Sequence, residues 1–388
     1  MKVAVCGDVH IGAAKSLGEN RSDGTNSRFD DYEATLNFCI DHCIKEGVDI
    51  FIQTGDLFEK RNPSPEELNI ADRCIKRLSA ANISTFIIMG NHDYRRFGGT
   101  YTSALSSMPA KDYTNVRILL EPEAISVTNR YSERVNLVLF PFRDKRMYKG
   151  KTTEELSKMC ESDILNMVDS LNPKYPSVFV GHNFFYQGSY NDFGGSEVLI
   201  NPNTFKKCSA SFMGHYHSFK KIKSLDNCFY TGSMERNTYG ERHDDKYLLV
   251  YDTNTSLTEK IRLPTRDLCE IEIDVSGMNI TDLGKELDLK INSLDLTNKI
   301  SRLKITIDEN MTGFLTKGKL KERLYDQNAH FVSSINVNPV YTKISRNLDP
   351  LKEGSDYAIF NKFLDIEFTI DEKLKKKILT AAKDIIGV

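Results

Sequence analysis

Five short apolar runs between residues 3 and 217 each end at a glycine, and polar residues able to bind a metal ion follow directly. Apolar runs of this length that are bounded by glycine are typical of buried β-strands. The five runs are Val3–Gly7 before Asp8 and His10, Phe51–Gly55 before Asp56, Phe86–Gly90 before Asn91 and His92, Val178–Gly181 before His182, and Ser211–Gly214 before His215 and His217. If these strands lie side by side, the pattern predicts a metal site at one edge of a sheet.

Amphipathic stretches between the strand runs predict three helices that begin at capping residues. These are residues 30–46 with Asp30 as the cap, 64–81 with Ser64, and 153–171 with Thr153. Further strands are predicted at 116–120, 124–128, 135–140, 227–230 and 246–251. Strands with interspersed helices up to Pro264 predict an α/β domain covering residues 1–264.

The pattern changes near Pro264 and indicates a smaller second module. Its predicted elements are a strand at 268–275, a helix at 281–294, a strand at 303–307, a helix at 316–326 and a strand at 331–337. This β-α-β-α-β succession predicts a separate α/β module over residues 265–345. Two amphipathic stretches follow at 355–365 and 371–386, so residues 346–388 are predicted to be a C-terminal helical segment.

Length, charge and cysteine usage narrow the class of protein. A chain of 388 residues is expected to hold two or three domains. The sequence contains no apolar run near the roughly 18 residues of a membrane span, and its N-terminus enters a strand directly, so neither a membrane protein nor a signal peptide is expected. Eight scattered cysteines are typical of reduced thiols in a cytoplasmic protein. The net charge of −2 gives no global attraction to nucleic acid, so DNA binding would require local basic clusters.

The residues after the five runs form a candidate ligand set for metal ions. A single histidine at a strand end is usually structural, but five of the eight histidines follow these runs, which favours a shared metal centre. Two Asp, one Asn and four His are too many ligands for one tetrahedral zinc, and they fit two five- or six-coordinate ions that share a carboxylate. Imidazole and carboxylate without thiolate favour Mn²⁺ or Fe²⁺ over Mg²⁺. The seven residues are Asp8, His10, Asp56, Asn91, His182, His215 and His217.

A pair of such ions suggests phosphoester chemistry. Two ions roughly 3.5–4 Å apart can activate water and clamp a phosphoryl group for in-line attack. His92 is the remaining histidine beside a ligand. It could protonate the leaving oxygen or stabilise the transition state, a role worth roughly 10²–10⁴-fold in rate.

The motifs, in this order, resemble the calcineurin-like metallophosphoesterase superfamily. They are Asp8-Val9-His10, Gly55-Asp56, Gly90-Asn91-His92-Asp93, Gly181-His182 and Gly214-His215-Tyr216-His217. Two further motifs, Gly55-Asp56-Leu57-Phe58 and Gly232-Ser233-Met234-Glu235-Arg236 followed by Glu241 and Lys246, resemble SbcD-type DNA repair nucleases, including phage versions. The resemblance implies an α/β fold: a four-layer αββα sandwich with a small α/β capping domain and a C-terminal helical segment that docks on an SbcC-type coiled-coil ATPase.

The resemblance also implies roles for individual residues. One ion is assigned to Asp8, His10 and His217, the other to Asn91, His182 and His215, and Asp56 bridges the two. His92 becomes the catalytic histidine, and Asp93 orients it. The implied cofactors are two Mn²⁺ ions, with Fe²⁺ or Mg²⁺ as alternatives. Many members carry His after Gly-Asp-Leu-Phe where this chain has Glu59, so a substrate-handling role at that position is not carried over.

The implied activity is exonuclease and endonuclease cleavage of DNA ends in repair and recombination, stimulated by the partner ATPase. A homodimer without membrane contact is expected, in the cytoplasm of a bacterium or a phage-infected host. Four arginines, Arg28, Arg61, Arg95 and Arg96, are candidates for contacting DNA phosphates, although a solvated loop explains each equally well.

Two alternatives remain open at this level. The first is a phosphoesterase for small phosphodiesters or phosphoproteins, although protein phosphatases of the superfamily usually carry Glu at the position of Asp93 and lack this capping region. The second is a silent scaffold that only binds DNA or the ATPase. Such proteins usually lose ligands, and none of the seven ligands is lost here.

Overall fold

The computed structural model describes residues 1–386 except 98–99, 109–111, 149, 187–196, 342–357, 362–363 and 365–371. Two six-stranded sheets lie within the first 262 residues, and a three-stranded sheet follows them.

The first sheet contains six strands from both ends of the first 262 residues. They are β1 (Lys2–Cys6), β2 (Ile50–Gln53), β3 (Ser84–Ile88), β6 (Val116–Leu119), β15 (Tyr247–Asp252) and β16 (Leu257–Arg262). Their spatial order is β16-β15-β1-β2-β3-β6. Strands β1, β2, β3 and β6 are parallel, whereas β15 runs antiparallel to β1. The carboxyl ends of β1, β2 and β3 therefore lie at the same edge of this sheet.

The second sheet is formed by strands from the middle of this region. They are β7 (Glu123–Thr128), β8 (Arg134–Phe140), β9 (Ser177–Gly181), β12 (Ala210–Met213), β13 (Lys220–Lys221) and β14 (Cys228–Tyr230). Their spatial order is β13-β14-β12-β9-β8-β7. Strands β9 and β12 are parallel neighbours, so their carboxyl ends also share an edge. Two small two-stranded pairs complete this region: β4 (Tyr94–Phe97) with β5 (Thr100–Ser103), and β10 (Phe184–Phe185) with β11 (Leu199–Ile200).

The two sheets pack face to face, with helices on their outer faces. This is possible because successive side chains of a strand point to opposite faces of its sheet. Val3 and Val5 of β1 face the second sheet, where they share a buried cluster with Val178 and Val180 of β9. The outer face of the first sheet packs on α1 (Arg28–Lys45) and α2 (Pro65–Ala80). The outer face of the second packs on α3 (Thr153–Asp169). The four-layer αββα arrangement implied by the resemblance is therefore confirmed.

Helix starts agree with the predicted caps in one case of three. Ser64 caps α2 and forms a capping box with Glu67, as predicted. The cap of α3 is Thr152 rather than Thr153, because Thr152 stands at capping-box spacing before Glu155. The predicted cap Asp30 is also wrong. Helix α1 begins after Ser27, which makes no side-chain cap bond, so Asp30 lies in the first turn.

The second module has the predicted succession of elements. These are β17 (Leu268–Asp274), α4 (Ile280–Asn292), β18 (Ile300–Asp308), α5 (Lys317–Asp326) and β19 (Phe331–Val340). The strands form a parallel sheet with its own buried cluster, which includes Leu287 of α4, Leu303 of β18 and Leu324 of α5. The exact domain limits stay a prediction.

In the described part of the C-terminal segment, the long helix α6 (Glu372–Ile386) lies at the predicted position. The predicted helix at 355–365 lies partly outside the described residues. The residues of this range that are described, 358–361 and 364, are helical. All eight cysteines are free thiols, as the sequence predicted. Among the described helices, none combines the length and apolar character needed to cross a membrane.

Candidate metal centre

The five glycine-ended runs are strands whose carboxyl ends meet between the two sheets. Three of them, β1, β2 and β3, belong to the first sheet, and β9 and β12 belong to the second. The amide of Thr54 donates to the carbonyl of Cys6 at 3.0 Å, and that of Gly214 donates to the carbonyl of Gly181 at 2.9 Å. Across the gap, Nδ1 of His182 lies 2.7 Å from the carbonyl of Thr54. The predicted single sheet edge is therefore a junction of two edges.

The chain turns sharply at several of these strand ends. His10, Asp56 and His215 have φ values of 53°, 55° and 79°. Residues other than glycine rarely adopt this left-handed conformation, and such strain persists only where the surroundings hold it. The amides of Val9 and His10 both donate to the carbonyl of Asp56, at 3.1 and 3.0 Å. These bonds join the loop after β1 to the loop after β2.

The strand-end glycines leave room for the candidate ligands. A Cβ on Gly90 would lie 2.2 Å from Oδ1 of Asp56, and one on Gly55 would lie 2.4 Å from Nδ1 of His182. Gly55 also has a φ of 102°, a conformation that other residues rarely adopt. These glycines therefore let side chains from one loop pack directly on the backbone of another.

Asp56 lies at the centre of the candidate site. Its Oδ1 accepts a hydrogen bond of 2.7 Å from the amide of His92, while its Oδ2 lies 3.5 Å from Nε2 of His10 and 3.3 Å from Nε2 of His182. Burial opposes ionisation of this carboxyl, but the neighbouring His182 and His10 hold its pKa far below the usual range. Asp56 is thus an anion that faces imidazole groups from both sheets.

His182 presents its Nε2 to this carboxylate. Its Nδ1 donates to the carbonyl of Thr54, so in the neutral ring Nε2 carries a lone pair. This atom lies 2.9 Å from Oδ1 of Asn91 and 3.3 Å from Oδ2 of Asp56. A cation among these three atoms, either a proton on Nε2 or a metal ion, would balance the negative charge of Asp56.

His10 has the same arrangement on the other side of Asp56. Its Nδ1 lies 2.8 Å from Oε2 of Glu59, which makes Nδ1 the protonated nitrogen. Its Nε2 lies 3.0 Å from Nε2 of His217. Either a proton on Nε2 of His217 or a cation held between the two nitrogens satisfies this contact, so this second cluster also fits a metal ion.

Burial and neighbouring charges shift the pKa values of three histidines in the cluster. Burial lowers the pKa of His10, but the hydrogen bond to Glu59 and the charge of Asp56 outweigh it and raise the pKa to about 9. Burial also lowers the pKa of His182, but the negative charge of Asp56 outweighs this effect and raises the pKa to about 9. In contrast, burial and the neighbouring His182 lower the pKa of His215 to about 3. Protons on His10 and His182 thus occupy the role that cations would fill, so the donor set fits a divalent metal centre.

His215 and Asp8 complete the cluster near His182. The amide of His215 donates to both carboxylate oxygens of Asp8, at 3.0 and 2.9 Å, and Oδ1 of Asp8 lies 3.4 Å from Nδ1 of His182. The rings of His182 and His215 are 5.0 Å apart. The structure therefore gathers all seven predicted ligands, although their division between two ions stays a prediction.

His92 lies at the opening of this cluster. Its side chain is 38% exposed, its Nδ1 donates to the carbonyl of Glu59 at 2.7 Å, and its ring meets that of His10 edge to face at 4.8 Å. Glu59, Lys60, Arg61, Asn62, Asn91 and His92 line an open depression beside it. A substrate group entering there would meet the ring of His92 beside the buried ligands.

Asp93 supports the loops rather than the ring of His92. Its carboxylate accepts hydrogen bonds from the amides of Gly90, Leu57 and Phe58, at 2.9, 3.3 and 3.2 Å. Burial and the charge of Asp56 raise the pKa of Asp93 to about 6. The expectation that Asp93 orients His92 is therefore corrected: Asp93 joins the loop after β3 to the loop after β2, while the ring is held by Glu59.

The four candidate arginines have different positions. Arg28 is buried, with ion pairs to Asp31 at 2.5 Å and Glu235 at 3.3 Å, so the prediction that it contacts DNA is wrong. Burial of the two carboxylates requires this partner inside the protein. Arg61 is exposed and lines the depression. Arg95 is exposed in β4, and the side chain of Arg96 lies outside the described residues.

Two carboxylates that support the candidate ligands are not predicted by the strand pattern. Glu59 pairs with His10, as described above, and Oε1 of Glu241 lies 3.7 Å from Nδ1 of His217. Burial opposes its ionisation, but His217 and Lys246 lower the pKa of Glu241 to about 2. The buried Lys246 also donates to the carbonyl of His217 at 3.0 Å. Glu241 and Lys246 were noted only as part of a motif, because a ligand's support is set by contacts distant in the chain.

Three proteins named as nucleases or repair proteins are similar to this chain at low identity. The chain is 24% identical over 277 residues to exonuclease subunit 1 of Enterobacteria phage T4, an alignment that covers 71% of this chain and 70% of that protein. It is 24% identical over 288 residues to the SbcD component of nuclease SbcCD from Staphylococcus epidermidis, covering 70% and 72%. It is also 24% identical over 333 residues to the DNA double-strand break repair protein Mre11 of Methanosarcina acetivorans, covering 82% of this chain and 49% of that protein. The chain thus spans about half the length of this archaeal relative.

A family model matches a larger continuous region than any single motif. The model of the calcineurin-like phosphoesterases matches residues 1–219, which include all the clustered side chains from Asp8 to His217. This match covers more than half of the 388 residues. The chain therefore belongs to the calcineurin-like phosphoesterase family.

Proposed function

We propose that this protein is a two-metal-dependent DNA phosphodiesterase that processes DNA ends in recombination and repair. The observation that carries the proposal is the cluster of facing acceptor atoms around Asp56, with the half-exposed His92 at its opening. The names of the relatives, an exonuclease subunit, a component of the SbcCD nuclease and a double-strand break repair protein, favour DNA over other phosphodiesters. Both exonuclease and endonuclease action are included in the proposal.

Asp8, His10 and His217 would hold one ion, and Asn91, His182 and His215 the other, with Asp56 shared. The mixture of imidazole, carboxylate and amide ligands favours Mn²⁺, with Fe²⁺ or Mg²⁺ as alternatives. Bound divalent ions supply Lewis acidity toward a phosphoryl group and activate water. The protein holds the ligands rigidly, because the carboxylates of Asp56 and Asp8 also accept backbone hydrogen bonds.

His92 would act on the substrate directly. With Nδ1 donating to the carbonyl of Glu59, the other ring nitrogen is the one left for the reacting group. It can then donate a proton to the leaving oxygen or a hydrogen bond to the transition state. Arg61, on the rim of the same depression, is suited to contact a DNA phosphate.

The remainder of the chain would serve assembly. Residues 1–264 form the nuclease domain and 265–345 the capping domain in this proposal, and residues 346–388 bind an SbcC-type ATPase. The lysine-rich helix α6 fits such a docking segment, because an amphipathic helix is stabilised when its apolar face packs on another surface. A homodimer acting on DNA in the cytoplasm of a bacterium or phage-infected host completes the proposal.

The test is a gel assay of end-labelled duplex and hairpin DNA with Mn²⁺ or Mg²⁺, with and without the ATPase encoded by the same genome. We expect Mn²⁺-dependent release of nucleotides from ends. In His92→Ala this rate should fall by about 10²–10⁴-fold while Mn²⁺ binding is retained. His243→Ala, which changes a histidine outside the cluster, is the matched control.

Three results would contradict the proposal. Cleavage of bis-p-nitrophenyl phosphate or cyclic nucleotides that far exceeds cleavage of DNA would favour a small-molecule phosphodiesterase. Absence of bound ions at saturating Mn²⁺ would instead favour a scaffold without catalytic activity. DNA cleavage that survives the loss of both Asp56 and His215 would show that the assigned site is wrong.

A further inference from the structure

We infer that Glu59 is a positioning residue for the candidate metal centre, which fixes the ring of His10 through its carboxylate and the ring of His92 through its backbone. The inference rests on the proposed function, because it concerns the same ligands. It assigns a role to the one position where the chain departs from the motif of many SbcD-type nucleases, which carry histidine there.

The carboxylate of Glu59 lies behind His10 as seen from the centre. Oε2 of Glu59 is 2.8 Å from Nδ1 of His10, whose side chain is only 1% exposed. The opposite ring nitrogen, Nε2, faces His217 at 3.0 Å and Asp56 at 3.5 Å. Because Nδ1 carries the proton, Nε2 is free to bind a cation, so the carboxylate selects the tautomer that the centre needs.

The backbone of Glu59 contacts the second ring. Its carbonyl accepts a hydrogen bond from Nδ1 of His92 at 2.7 Å, and its Oε2 is 3.8 Å from the same nitrogen. The rings of His10 and His92 meet edge to face, with centroids 4.8 Å apart and planes at 84°. One residue therefore sets the orientation of a candidate ligand and of the candidate catalytic histidine.

Glu59 is held in place by the main chain on both sides. Its amide donates to the carbonyl of Ile11 at 3.1 Å, and Ile11 bridges to Phe58. The amides of Leu57 and Phe58 donate to the buried carboxylate of Asp93. The loop is thus anchored to the loop after β1 and the loop after β3, so the half-buried side chain starts from a rigid position.

A carboxylate at this position has a specific chemical consequence. Ligand histidines that donate to a carboxylate are held in one orientation and become more basic, and loss of such a partner typically costs about 10- to 100-fold in metal affinity. Direct binding of Glu59 to the same ion is disfavoured, because its carboxylate contacts the nitrogen on the far side of the His10 ring. Its contribution is therefore support of a ligand.

The test is calorimetric titration of the full chain with Mn²⁺, which measures binding without DNA or turnover. In Glu59→Ala we expect the affinity of one ion to fall about 10- to 100-fold. Glu59→Gln should recover part of this loss, because its amide oxygen can still accept from Nδ1 of His10. Glu46→Ala, which removes an exposed glutamate paired with Lys2, is the matched control and should bind as the wild type does. Unfolding curves in EDTA check that each variant folds.

Wild-type Mn²⁺ affinity in Glu59→Ala, or no recovery in Glu59→Gln, would overturn the inference. Its failure can be distinguished from failure of the proposed function. If the wild-type protein binds two ions but does not cut DNA, the nuclease proposal fails while the difference between the Glu59 variants remains measurable. If the wild type cuts DNA and Glu59→Ala binds Mn²⁺ normally, only the role of Glu59 is wrong.

Discussion

At the scale of single residues, the candidate centre is a group of imidazole, carboxylate and amide atoms that face one another at short distances, an arrangement that a cation would stabilise. His10, Asp56, Asn91, His182 and His217 each place a nitrogen or oxygen within 3.5 Å of another acceptor. Protonation of two histidines satisfies this arrangement when no metal is bound. The stability of the protein and its affinity for metal are therefore expected to depend on pH.

The pH dependence has a definite sign. In the metal-free protein the pKa values of His10 and His182 are about 9, above the ordinary value of 6.5. The stabilisation from these protons is fully present below about pH 6.5 and is lost as the pH rises through about 9. We expect the free energy of unfolding in EDTA to fall by roughly a few kcal/mol across this interval. Urea denaturation at both ends of the interval measures the change.

Bound metal should reverse this trend. Because the ion competes with protons for the same nitrogens, Mn²⁺ affinity should rise over the interval in which the metal-free protein loses stability. Denaturation with saturating Mn²⁺ is the control. An unfolding free energy in EDTA that does not change between pH 6.5 and 9 would contradict the pKa values assigned to His10 and His182.

A second prediction at this scale concerns Gly90. In Gly90→Ala the new Cβ would lie 2.2 Å from both the amide nitrogen and Oδ1 of Asp56, so the backbone and the carboxylate of Asp56 must both move. We expect Mn²⁺ affinity to fall about 10- to 100-fold, the range typical of disturbed ligand support. Gly284→Ala is the control, because its Cβ would meet open space on α4 and alanine stabilises a helix by about 0.5–1 kcal/mol. Unchanged Mn²⁺ binding in Gly90→Ala would show that the loop has more freedom than its contacts indicate.

At the scale of elements, buried charges join α1 to the loop before β15 and to the segment between the two modules. Arg28 of α1 pairs with Asp31 and Glu235, and Asp31 also accepts hydrogen bonds from Arg266, the shortest at 2.6 Å. Thr35 donates to the same Glu235. The first turn of α1 is thus held by this network and by Asn26, whose Oδ1 accepts from the amide of Arg28 at 3.0 Å.

This network predicts opposite behaviour for two arginines. Arg28→Ala leaves the buried Glu235 without its charge partner, which should cost about 3–5 kcal/mol of the free energy of unfolding. Arg61→Ala changes an exposed side chain and should leave stability within about 0.5 kcal/mol. If Arg61 contacts a phosphate, its loss should weaken binding about equally for all DNA sequences. It should also lower the slope of log affinity against log salt concentration by about one. Denaturation curves and DNA titrations at several salt concentrations measure both effects. A stable Arg28→Ala with weakened DNA binding would reverse these assignments.

At the scale of the whole molecule, the αββα sandwich and the second module have separate buried cores. Val178 and Val180 belong to the core between the two large sheets, whereas Leu303 and Leu324 belong to that of the second module. The candidate ligands all lie in the first of these units. Damage to the second core is therefore expected to leave the metal centre intact.

Leu303→Ala tests this independence. Its side chain is fully buried in β18, so its truncation should cost about 2–5 kcal/mol. Hydrogen exchange should accelerate in β17, β18 and β19 and remain unchanged in β1 and β9, while Mn²⁺ binding is preserved. Leu289→Ala is the matched control, because Leu289 of α4 is 69% exposed. Loss of Mn²⁺ binding in Leu303→Ala would show that the two units are energetically coupled.

Much of this molecule could be predicted from local pattern. The alternation and length of apolar runs located β1, β2, β3, β9 and β12, and the Ser64 cap located the start of α2. Short strands such as β10 and β13 were missed, because two residues carry no periodic signal. Strand β16 was missed as well. Its residues are mostly exposed at the edge of the first sheet, so they show little apolar alternation.

The sequence by itself determined that residues able to bind metal follow the ends of five strands. It also determined that these residues come close together, because parallel strands place their carboxyl ends at a common edge whatever their distance along the chain. Only the tertiary structure decided that this edge is shared by two sheets, that Arg28 is buried, and that Glu59 supports His10. These outcomes depend on contacts between residues far apart in the chain. Glu59 lies 49 positions after His10, and Glu235 lies 207 positions after Arg28. No local periodicity encodes such contacts. Charges and hydrogen bonds between the two sheets, rather than the order of the motifs, set the protonation of each histidine.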